Sequence, residues 1–292
     1  MPIKISASTN PPQLCDLNDY ISKLDKEDID FIHCDVMDGK FVKAKTFGSK
    51  KVRELKALTS KPLDVHLMVK NPGRKIKGYA KAGANVITIH YESVRNKKKL
   101  IPMLQKIKKY GCFAGISFNP STSVLEILPY IYFCDMLLVM SVVPGKSGQE
   151  FMPETYVRLD TINKFLKKQK MEVVVEVDGG VNEKNIASLI EKKVDSVVMG
   201  NYLYKAENLT QAIKKARQSE TVEPTKNLTK APEKTKKAKT TKTKKEVKPK
   251  KESKAKTSSK PKKVKKPKVN KEAKKSRKVK KAEKNIPKFF GE

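Results

Sequence analysis

Short apolar runs alternate with longer amphipathic segments along about the first 217 residues of the chain. Eight runs of five to eight residues are rich in Val, Ile and Leu, and turn-forming residues separate them, which is typical of buried strands. The predicted strands are Ile3–Ser8, Asp30–Met37, Pro62–Val69, Asn85–Tyr91, Cys112–Phe118, Asp135–Val142, Glu172–Asp178 and Ser196–Gly200. Helical spacing predicts helices near residues 14–24, 48–58, 72–82, 97–110, 122–130, 153–169, 183–192 and 202–217.

Eight successive strand–helix units predict an α/β fold in which helices cover a parallel sheet. Such units can close into a (β/α)8 TIM barrel, although periodicity alone also permits an open, doubly wound sheet. Polar residues favour the barrel because they lie near the carboxyl ends of their strands, and those ends meet at one barrel mouth. The residues in this position are His33, Asp35, His66, His90, Asn119, Ser141 and Asp178.

Three of these strands end in side chains that can bind a metal ion. His33 and Asp35 share one face of their strand because side chains alternate, and His66 and Asp178 end two further strands. Two imidazoles and two carboxylates suit one Zn²⁺, Fe²⁺, Mn²⁺ or Co²⁺ ion. A single residue of this kind would more simply be a hydrogen-bonded core residue or a helix cap. Four at matching strand ends favour a metal site.

Two carboxylates beside a cation also predict acid–base chemistry. A bound cation polarises a carbonyl and stabilises the enediolate that forms when the adjacent carbon loses its proton. Asp35 and Asp178 would act on opposite faces of that carbon, one removing a proton and the other supplying one. The residues therefore indicate an enzyme that moves a proton next to a carbonyl group.

Loops that contain glycine follow the last three predicted strands. Their residues are Gly145, Lys146, Ser147 and Gly148, then Gly179 and Gly180, then Gly200 and Asn201. Each loop alone could be an ordinary turn. Together, on neighbouring strands, their backbone N–H groups can bind a phosphate, and barrels usually place phosphate sites in this region.

Three methionines also lie near strand ends: Met37, Met68 and Met140. Methionine commonly fills gaps in a core, and this is one interpretation of the group. The other is an apolar collar that keeps water away from the reacting carbon.

The composition changes abruptly near Ser219. Residues 221–292 contain 29 Lys and Arg but only seven acidic residues, within a chain of net charge +34. We therefore expect a barrel domain, residues 1–218, followed by a disordered, Lys-rich tail, residues 219–292. The Lys-rich composition of residues 221–288 predicts that this segment binds nucleic acid or another acidic partner without specificity. The alternative is a tail that only improves solubility.

Two further observations concern the compartment. The four cysteines are scattered and form no Cys-x-x-Cys pair, which favours free thiols in a reducing environment. The first residues lack the apolar core of a secretion signal, and no run reaches roughly 18 apolar residues. We therefore expect a cytoplasmic protein without a membrane segment.

Several motifs together resemble the signature of the ribulose-phosphate 3-epimerase family. They are Ile32-His33-Cys34-Asp35-Val36-Met37-Asp38-Gly39 with Phe41-Val42 and Thr46-Phe47-Gly48, Leu63-Asp64-Val65-His66-Leu67-Met68, Asn119-Pro120, Met140-Ser141-Val142 with Pro144-Gly145 and Gly148-Gln149, and Glu176-Val177-Asp178-Gly179-Gly180-Val181. The resemblance runs in order from about Lys4 to Tyr204. It implies a TIM barrel that interconverts D-ribulose 5-phosphate and D-xylulose 5-phosphate by inverting C3, a step of the non-oxidative pentose phosphate pathway.

The resemblance also implies roles for individual residues. Metal ligation is implied for His33, Asp35, His66 and Asp178, and acid–base catalysis for Asp35 and Asp178. Substrate contacts are implied for Ser8, His66, Gly145, Lys146, Ser147, Gly148, Asp178, Gly179, Gly180, Gly200 and Asn201. One divalent metal ion, a sugar-phosphate substrate and a homo-oligomer are implied as well.

Two alternatives remain open at this point. The first strand and the loop Gly145-Lys146-Ser147-Gly148 depart from the family's usual Pro-Ser-Ile-Leu-Ser-Ala-Asp and Gly-Phe-Gly-Gly. One alternative is an epimerase that acts at C3 of another ketose phosphate, such as a hexulose 6-phosphate. The other is a barrel with weak or lost catalysis that binds polyanions through its Lys-rich tail.

Overall fold

The computed structural model describes residues 2–10 and 17–218. The strands are β1 (Lys4–Ser8), β2 (Phe31–Met37), β3 (Leu63–Met68), β4 (Ala84–His90), β5 (Phe113–Phe118), β6 (Met136–Met140), β7 (Val174–Asp178) and β8 (Ser196–Met199). The helices are α1 (Leu17–Leu24), α2 (Ser49–Lys56), α3 (Ile76–Ala80), α4 (Leu100–Lys109), α5 (Val124–Ile131), α6 (Glu154–Gln169), α7 (Ile186–Glu191), α8 (Asn201–Tyr204) and α9 (Leu209–Gln218). The predicted tail, residues 219–292, and residues 14–16 of the first predicted helix lie outside the described residues.

The eight strands form a closed parallel barrel in sequence order, and β1 pairs with both β2 and β8. The chain is therefore a TIM barrel, which confirms the predicted fold and excludes the open sheet. Register sets Asp35 beside His66 and Met140 beside Asp178, all at the level of the carboxyl ends of their strands. This level is the barrel mouth, where the carboxyl ends of the strands meet.

The strands are buried on both faces, which explains their nearly continuous apolar runs. In β2 all seven residues are buried. Ile32, Cys34 and Val36 belong to the main apolar core. His33 and Asp35 occupy the alternate positions and contact side chains of β3 and β7 inside the barrel. Alternation along one strand thus separates packing residues from site residues.

The helix predicted near residues 202–217 is wrong as a single element, since the chain forms α8 and α9 with a break between them. The side-chain oxygen of Asn208 accepts a hydrogen bond from the backbone N–H of Gln211 at 2.9 Å. This is the geometry of an N-cap, which begins a new helix. The predicted start of α5, near residue 122, agrees with the observed start. Ser123 is its N-cap, and the Ser123 hydroxyl oxygen accepts a hydrogen bond from the backbone N–H of Leu125 at 3.3 Å.

Among the helices of residues 2–10 and 17–218, none has the length and apolar character that a membrane span requires.

Candidate active site at the barrel mouth

A cavity of about 730 Å³ opens at the carboxyl ends of the strands. Most of the predicted site residues line it, namely Ser8, Asp35, Met37, Met68, Met140, Gly145, Lys146, Ser147, Gly148, Asp178, Gly179, Gly180, Gly200 and Asn201. His33 and His66 are completely buried and contact the two aspartates of this lining. The structure therefore brings all the predicted site residues into one region.

Two imidazoles and two carboxylates converge within this region. His33 Nε2 lies 3.5 Å from Asp35 Oδ1 and 3.9 Å from Asp178 Oδ2. His66 Nδ1 lies 3.3 Å and 3.7 Å from the same two oxygen atoms. The four residues each present one ligand atom, and these atoms all lie within 4.8 Å of one another. The cluster can therefore hold a single metal ion.

Asp35 is fixed by residues of β1 and of the loop after β2. Ser8 Oγ donates a hydrogen bond of 2.8 Å to Asp35 Oδ2, which uses the carboxylate oxygen that faces away from the histidines. The backbone N–H of Asp35 donates to Thr9 Oγ1 at 3.2 Å, and the backbone oxygen of Asp35 accepts from Thr46 Oγ1 at 2.7 Å. These bonds hold the end of β2 and orient the carboxylate toward the cluster.

The end of β7 is held by Ser141, a predicted strand-end residue without a predicted role. Its hydroxyl contacts the backbone oxygens of Asp178 and Gly179 at 2.9 Å and 2.6 Å. Its backbone N–H also donates to the oxygen of Asp178 at 2.8 Å. Ser141 therefore fixes the backbone from which the Asp178 side chain and the following glycine turn project.

The four side chains of the cluster differ in protonation. Burial favours neutral Asp35, but the positive charge of His33 and the close approach of both imidazoles outweigh it and lower the pKa of Asp35. Burial and the Asp35 carboxylate raise the pKa of Asp178 to about 7. Burial likewise lowers the pKa of His66 to about 4. At neutral pH these shifts favour ionised Asp35 and neutral His66, and they favour the protonated form of Asp178.

A second buried layer lies one step deeper in the barrel. Asp64 Oδ2 is 2.5 Å from His33 Nδ1, so the other ring nitrogen, Nε2, faces the metal-type cluster. Burial opposes the charged form of His33, but Asp64 and Asp35 raise its pKa well above the usual value. Burial and then Asp64 raise the pKa of Glu176 well above its usual value, and Ser196 Oγ donates to Glu176 at 2.7 Å. The motifs of the sequence include Asp64 and Glu176, but no role was predicted for either residue.

His90 is the third histidine of the chain, and its contact with the site was not predicted. His90 Nε2 lies 2.8 Å from His66 Nε2, and the two rings are stacked with centroids 4.9 Å apart. His90 Nδ1 lies 3.3 Å from Glu92 Oε2. The sequence did contain a signal for this pair, since His90-Tyr91-Glu92 repeats the spacing of His33-Cys34-Asp35 at a strand end.

The loop after β7 requires glycine at two successive positions. Gly179 and Gly180 have φ angles of 123° and 66°, which side chains rarely permit. A Cβ atom at Gly180 would lie 2.5 Å from the backbone nitrogen of Phe151. The side-chain amides of Asn182 and Asn185 donate to the backbone oxygen of Gly180 at 2.9 Å and 3.0 Å. The turn therefore exposes bare backbone to the cavity next to the loops after β6 and β8.

The three predicted collar methionines are buried at the cavity wall. Met140 packs with Leu138, Val142 and Val198 in a separate apolar cluster. Met37 and Met68 pair across β2 and β3. The carboxylate cluster therefore has an apolar wall on the cavity side, as both interpretations of the methionines require.

Comparison with known proteins places this barrel in a family. Residues 4–204 match the model of the ribulose-phosphate 3 epimerase family. The chain belongs to the ribulose-phosphate 3-epimerase family. The resemblance seen in the motifs is thereby confirmed, and so is the prediction of an isomerase of this family.

Individual relatives match this chain over most of their own length. A ribulose-phosphate 3-epimerase of Synechocystis sp. is 37% identical over 209 residues, which cover 71% of this chain and 90% of the relative. The enzyme of that name from Mycobacterium bovis is 39% identical over 192 residues, covering 65% and 81%. The one from Bacillus subtilis is 35% identical over 218 residues, covering 74% and 99%.

More distant solved structures share the fold alone. KGPDC of Streptococcus mutans has a TM-score of 0.57 and 14% identity, covering 75% of this chain and 97% of that chain. The 3-hexulose-6-phosphate synthase of Salmonella typhimurium has a TM-score of 0.55 and 15% identity, covering 74% and 98%. These matches support the barrel architecture and carry no further argument about activity.

Proposed function

We propose that the chain interconverts D-ribulose 5-phosphate and D-xylulose 5-phosphate by inverting the configuration at C3. Asp35 and Asp178 are the two proton-transfer groups, and they act beside a divalent cation. One observation carries the proposal: the two carboxyl groups face the same pair of imidazole nitrogens, and their surroundings shift their pKa values in opposite directions. Epimerisation by two groups requires such a difference.

The donor set fits a divalent cation. His33 Nε2 is buried and has no hydrogen-bond partner within the described part of the chain, although it faces both carboxylates. Together with Asp35 Oδ1, His66 Nδ1 and Asp178 Oδ2 it would hold the ion through two nitrogens and two oxygens, a set that suits Zn²⁺, Fe²⁺, Mn²⁺ or Co²⁺. When bound, the cation polarises the substrate carbonyl and stabilises the negative charge of an enediolate.

The two aspartates move the protons. In one direction of the reaction, ionised Asp35 removes the proton from C3, and Asp178 delivers a proton to the opposite face of that carbon. In the reverse direction their roles exchange. Ser8 keeps the Asp35 carboxylate aligned through its hydrogen bond of 2.8 Å. The methionines Met37, Met68 and Met140 exclude water from the reacting carbon.

The phosphate of the substrate binds at the loops after β6, β7 and β8. Gly145, Gly148, Gly179 and Gly180 all have positive φ angles, so their turns bring backbone rather than side chains to the cavity. Lys146 lies in the same lining and adds a positive charge for the phosphate. This arrangement leaves the phosphate on the side of the cavity built by the last three loops, with C3 at the carboxylates.

The proposal is tested by following the two pentulose phosphates by NMR. Purified protein is supplied with each divalent cation in turn and incubated with D-ribulose 5-phosphate. We expect D-xylulose 5-phosphate to accumulate to equilibrium. A matched control is Asp160→Asn, which removes a carboxylate that pairs with Lys192 at 2.8 Å on the outer helices, and it should retain full activity. Absence of product with every cation would overturn the proposal.

We further propose that the basic residues 221–288 bind polyanions without sequence specificity, since they carry Lys at short intervals and no aromatic side chain. Truncation after residue 218 should leave kcat nearly unchanged and abolish salt-sensitive retention on DNA or RNA. If the truncated barrel is retained equally well, this second proposal is wrong.

A further inference from the structure

The three histidines of the chain form a row inside the barrel mouth, and only two of them face the carboxylate pair. His33 Nε2 and His66 Nδ1 face Asp35 and Asp178. His90 contributes nothing to that pair directly, but its ring is completely buried against His66. The ring of Phe41 covers His90 with centroids 4.9 Å apart. A buried imidazole in this position needs partners for both ring nitrogens.

Hydrogen bonds connect the row to a carboxylate on the far side. His66 Nε2 and His90 Nε2 are 2.8 Å apart, so one of them donates and the other accepts. His90 Nδ1 is 3.3 Å from Glu92 Oε2. Glu92 Oε1 accepts from the backbone N–H of Asn119 at 2.8 Å and from the hydroxyl of Thr122. The path is therefore Asp35, His66, His90 and Glu92, with a carboxylate at each end.

Two neutral arrangements satisfy the contact between the rings. In one, His66 carries its proton on Nδ1 and His90 on Nε2, which leaves the His90 Nδ1 lone pair directed at the Glu92 carboxylate. In the other, His66 carries its proton on Nε2 and His90 on Nδ1, which donates to Glu92. Only the second arrangement leaves His66 Nδ1 with an electron pair for a cation at Asp35 and Asp178.

Glu92, at the end of the path away from the metal-type cluster, is ionised. Burial raises the pKa of Glu92, but hydrogen bonds from His90, Thr122 and Asn119 outweigh it and lower the pKa to about 2. A fixed carboxylate favours an N–H directed at it, and hence the Nδ1–H form of His90. His33 is held by a carboxylate without an intervening histidine, since Asp64 Oδ2 lies 2.5 Å from its Nδ1.

We propose that His90 and Glu92 are positioning residues that act through His66. Glu92 holds the proton of His90 on Nδ1, and His90 Nε2 in turn holds the proton of His66 on Nε2, so that His66 Nδ1 is the ligand atom. The inference rests on the proposed metal role of His66. It adds that Glu92, which does not touch the substrate or the ion, selects the nitrogen of His66 that serves as the ligand atom. Glu92 acts on His66 through His90.

The test uses the full chain with Zn²⁺ as the probe. Long-range proton–nitrogen NMR of protein labelled in its three histidines reports the tautomer of each ring. We expect Nε2–H for His66 and Nδ1–H for His90 in the Zn²⁺-loaded protein. His90→Leu removes the acceptor and should weaken Zn²⁺ binding on the order of 10- to 100-fold in competition with a chelator. His90→Gln, whose amide oxygen can accept from His66, should recover most of this loss.

Thr88→Val is the matched control, because Thr88 lies on the same face of β4, is buried, and its hydroxyl has no hydrogen-bond partner among the described residues. It should bind Zn²⁺ as tightly as the wild type. A wild-type protein that binds Zn²⁺ while His66 carries its proton on Nδ1 would overturn the inference, with no variant required. So would unchanged Zn²⁺ affinity in His90→Leu. A wild-type protein that binds no divalent cation would instead contradict the proposed metal role itself.

Discussion

Asp35 and Asp178 face the same two imidazole nitrogens from neighbouring sides, but they hold protons differently. Asp35 Oδ1 lies 3.5 Å and 3.3 Å from His33 Nε2 and His66 Nδ1, and Asp178 Oδ2 lies 3.9 Å and 3.7 Å from them. The charge of His33 and the hydroxyl of Ser8 favour ionised Asp35, whereas burial and the neighbouring Asp35 carboxylate raise the pKa of Asp178. The two pKa values are therefore shifted in opposite directions, which suits one carboxyl group to act as a base and the other as an acid.

Asp178→Asn should abolish turnover and preserve the fold. The amide has the shape of the protonated acid but cannot donate or accept a catalytic proton, so kcat should fall by roughly 10²- to 10⁴-fold. The free energy of unfolding should change by less than about 1 kcal/mol, because an amide can replace a neutral carboxyl group. Steady-state kinetics and urea denaturation measure the two quantities. Retention of wild-type kcat would remove Asp178 from the mechanism.

Metal affinity should rise with pH across the neutral range. His33, with a pKa raised well above its usual value, holds a proton that a cation at its Nε2 must displace. Asp35 and His66 are already in their ligand forms, because their pKa values are lowered. Titration calorimetry in buffers of different ionisation enthalpy should detect net proton release on Zn²⁺ binding. An affinity independent of pH between about 6 and 8 would contradict this account.

Asp64→Asn should weaken metal binding without touching the cavity. The substitution replaces the carboxylate that lies 2.5 Å from His33 Nδ1, so the ring loses the charge that fixes its orientation. We expect a loss of roughly 10- to 100-fold in Zn²⁺ affinity. Ser117→Ala is a suitable control, because Ser117 is buried in the barrel and its hydroxyl has no partner in the described residues. Equal affinities of the two variants would exclude a role for Asp64 in positioning His33.

Gly180→Ala should reduce both stability and substrate affinity. At a positive φ angle a Cβ atom costs about 1–2 kcal/mol, and at Gly180 it would also lie 2.5 Å from the backbone of Phe151. Gly111→Ala separates the two effects, since Gly111 has a φ angle of 79° but open space around it. Only Gly180→Ala should raise KM for the sugar phosphate. If both variants show the same KM, the loop after β7 does not bind the phosphate.

The sequence predicted the barrel and the cluster because both follow from local pattern. His33 and Asp35 share a face by alternation, and the parallel sheet then requires the ends of β2, β3 and β7 to meet at the same mouth. The observed register of Asp35 beside His66 agrees with that expectation. Strand alternation and strand order predicted the cluster once the polar strand ends had favoured a closed barrel over an open sheet.

The contacts that sequence reasoning missed depend on distances across the barrel. His66 pairs in register with Thr88, and His90 lies two residues further along β4 on the same face, where its ring meets that of His66. The role of Asp64 depends on which nitrogen of His33 it meets, and ring orientation has no sequence signal. The break between α8 and α9 was hidden because apolar spacing continues across the cap at Asn208.

The central claim is two-base epimerisation at C3, and a single turnover in D₂O tests it most directly. Metal-loaded protein in excess is mixed with D-ribulose 5-phosphate, and the product is analysed for deuterium at C3. Because Asp35 removes the substrate proton and Asp178 supplies a different one, we predict that the first D-xylulose 5-phosphate formed carries solvent deuterium at C3. Product that retains the original C3 hydrogen would contradict the account.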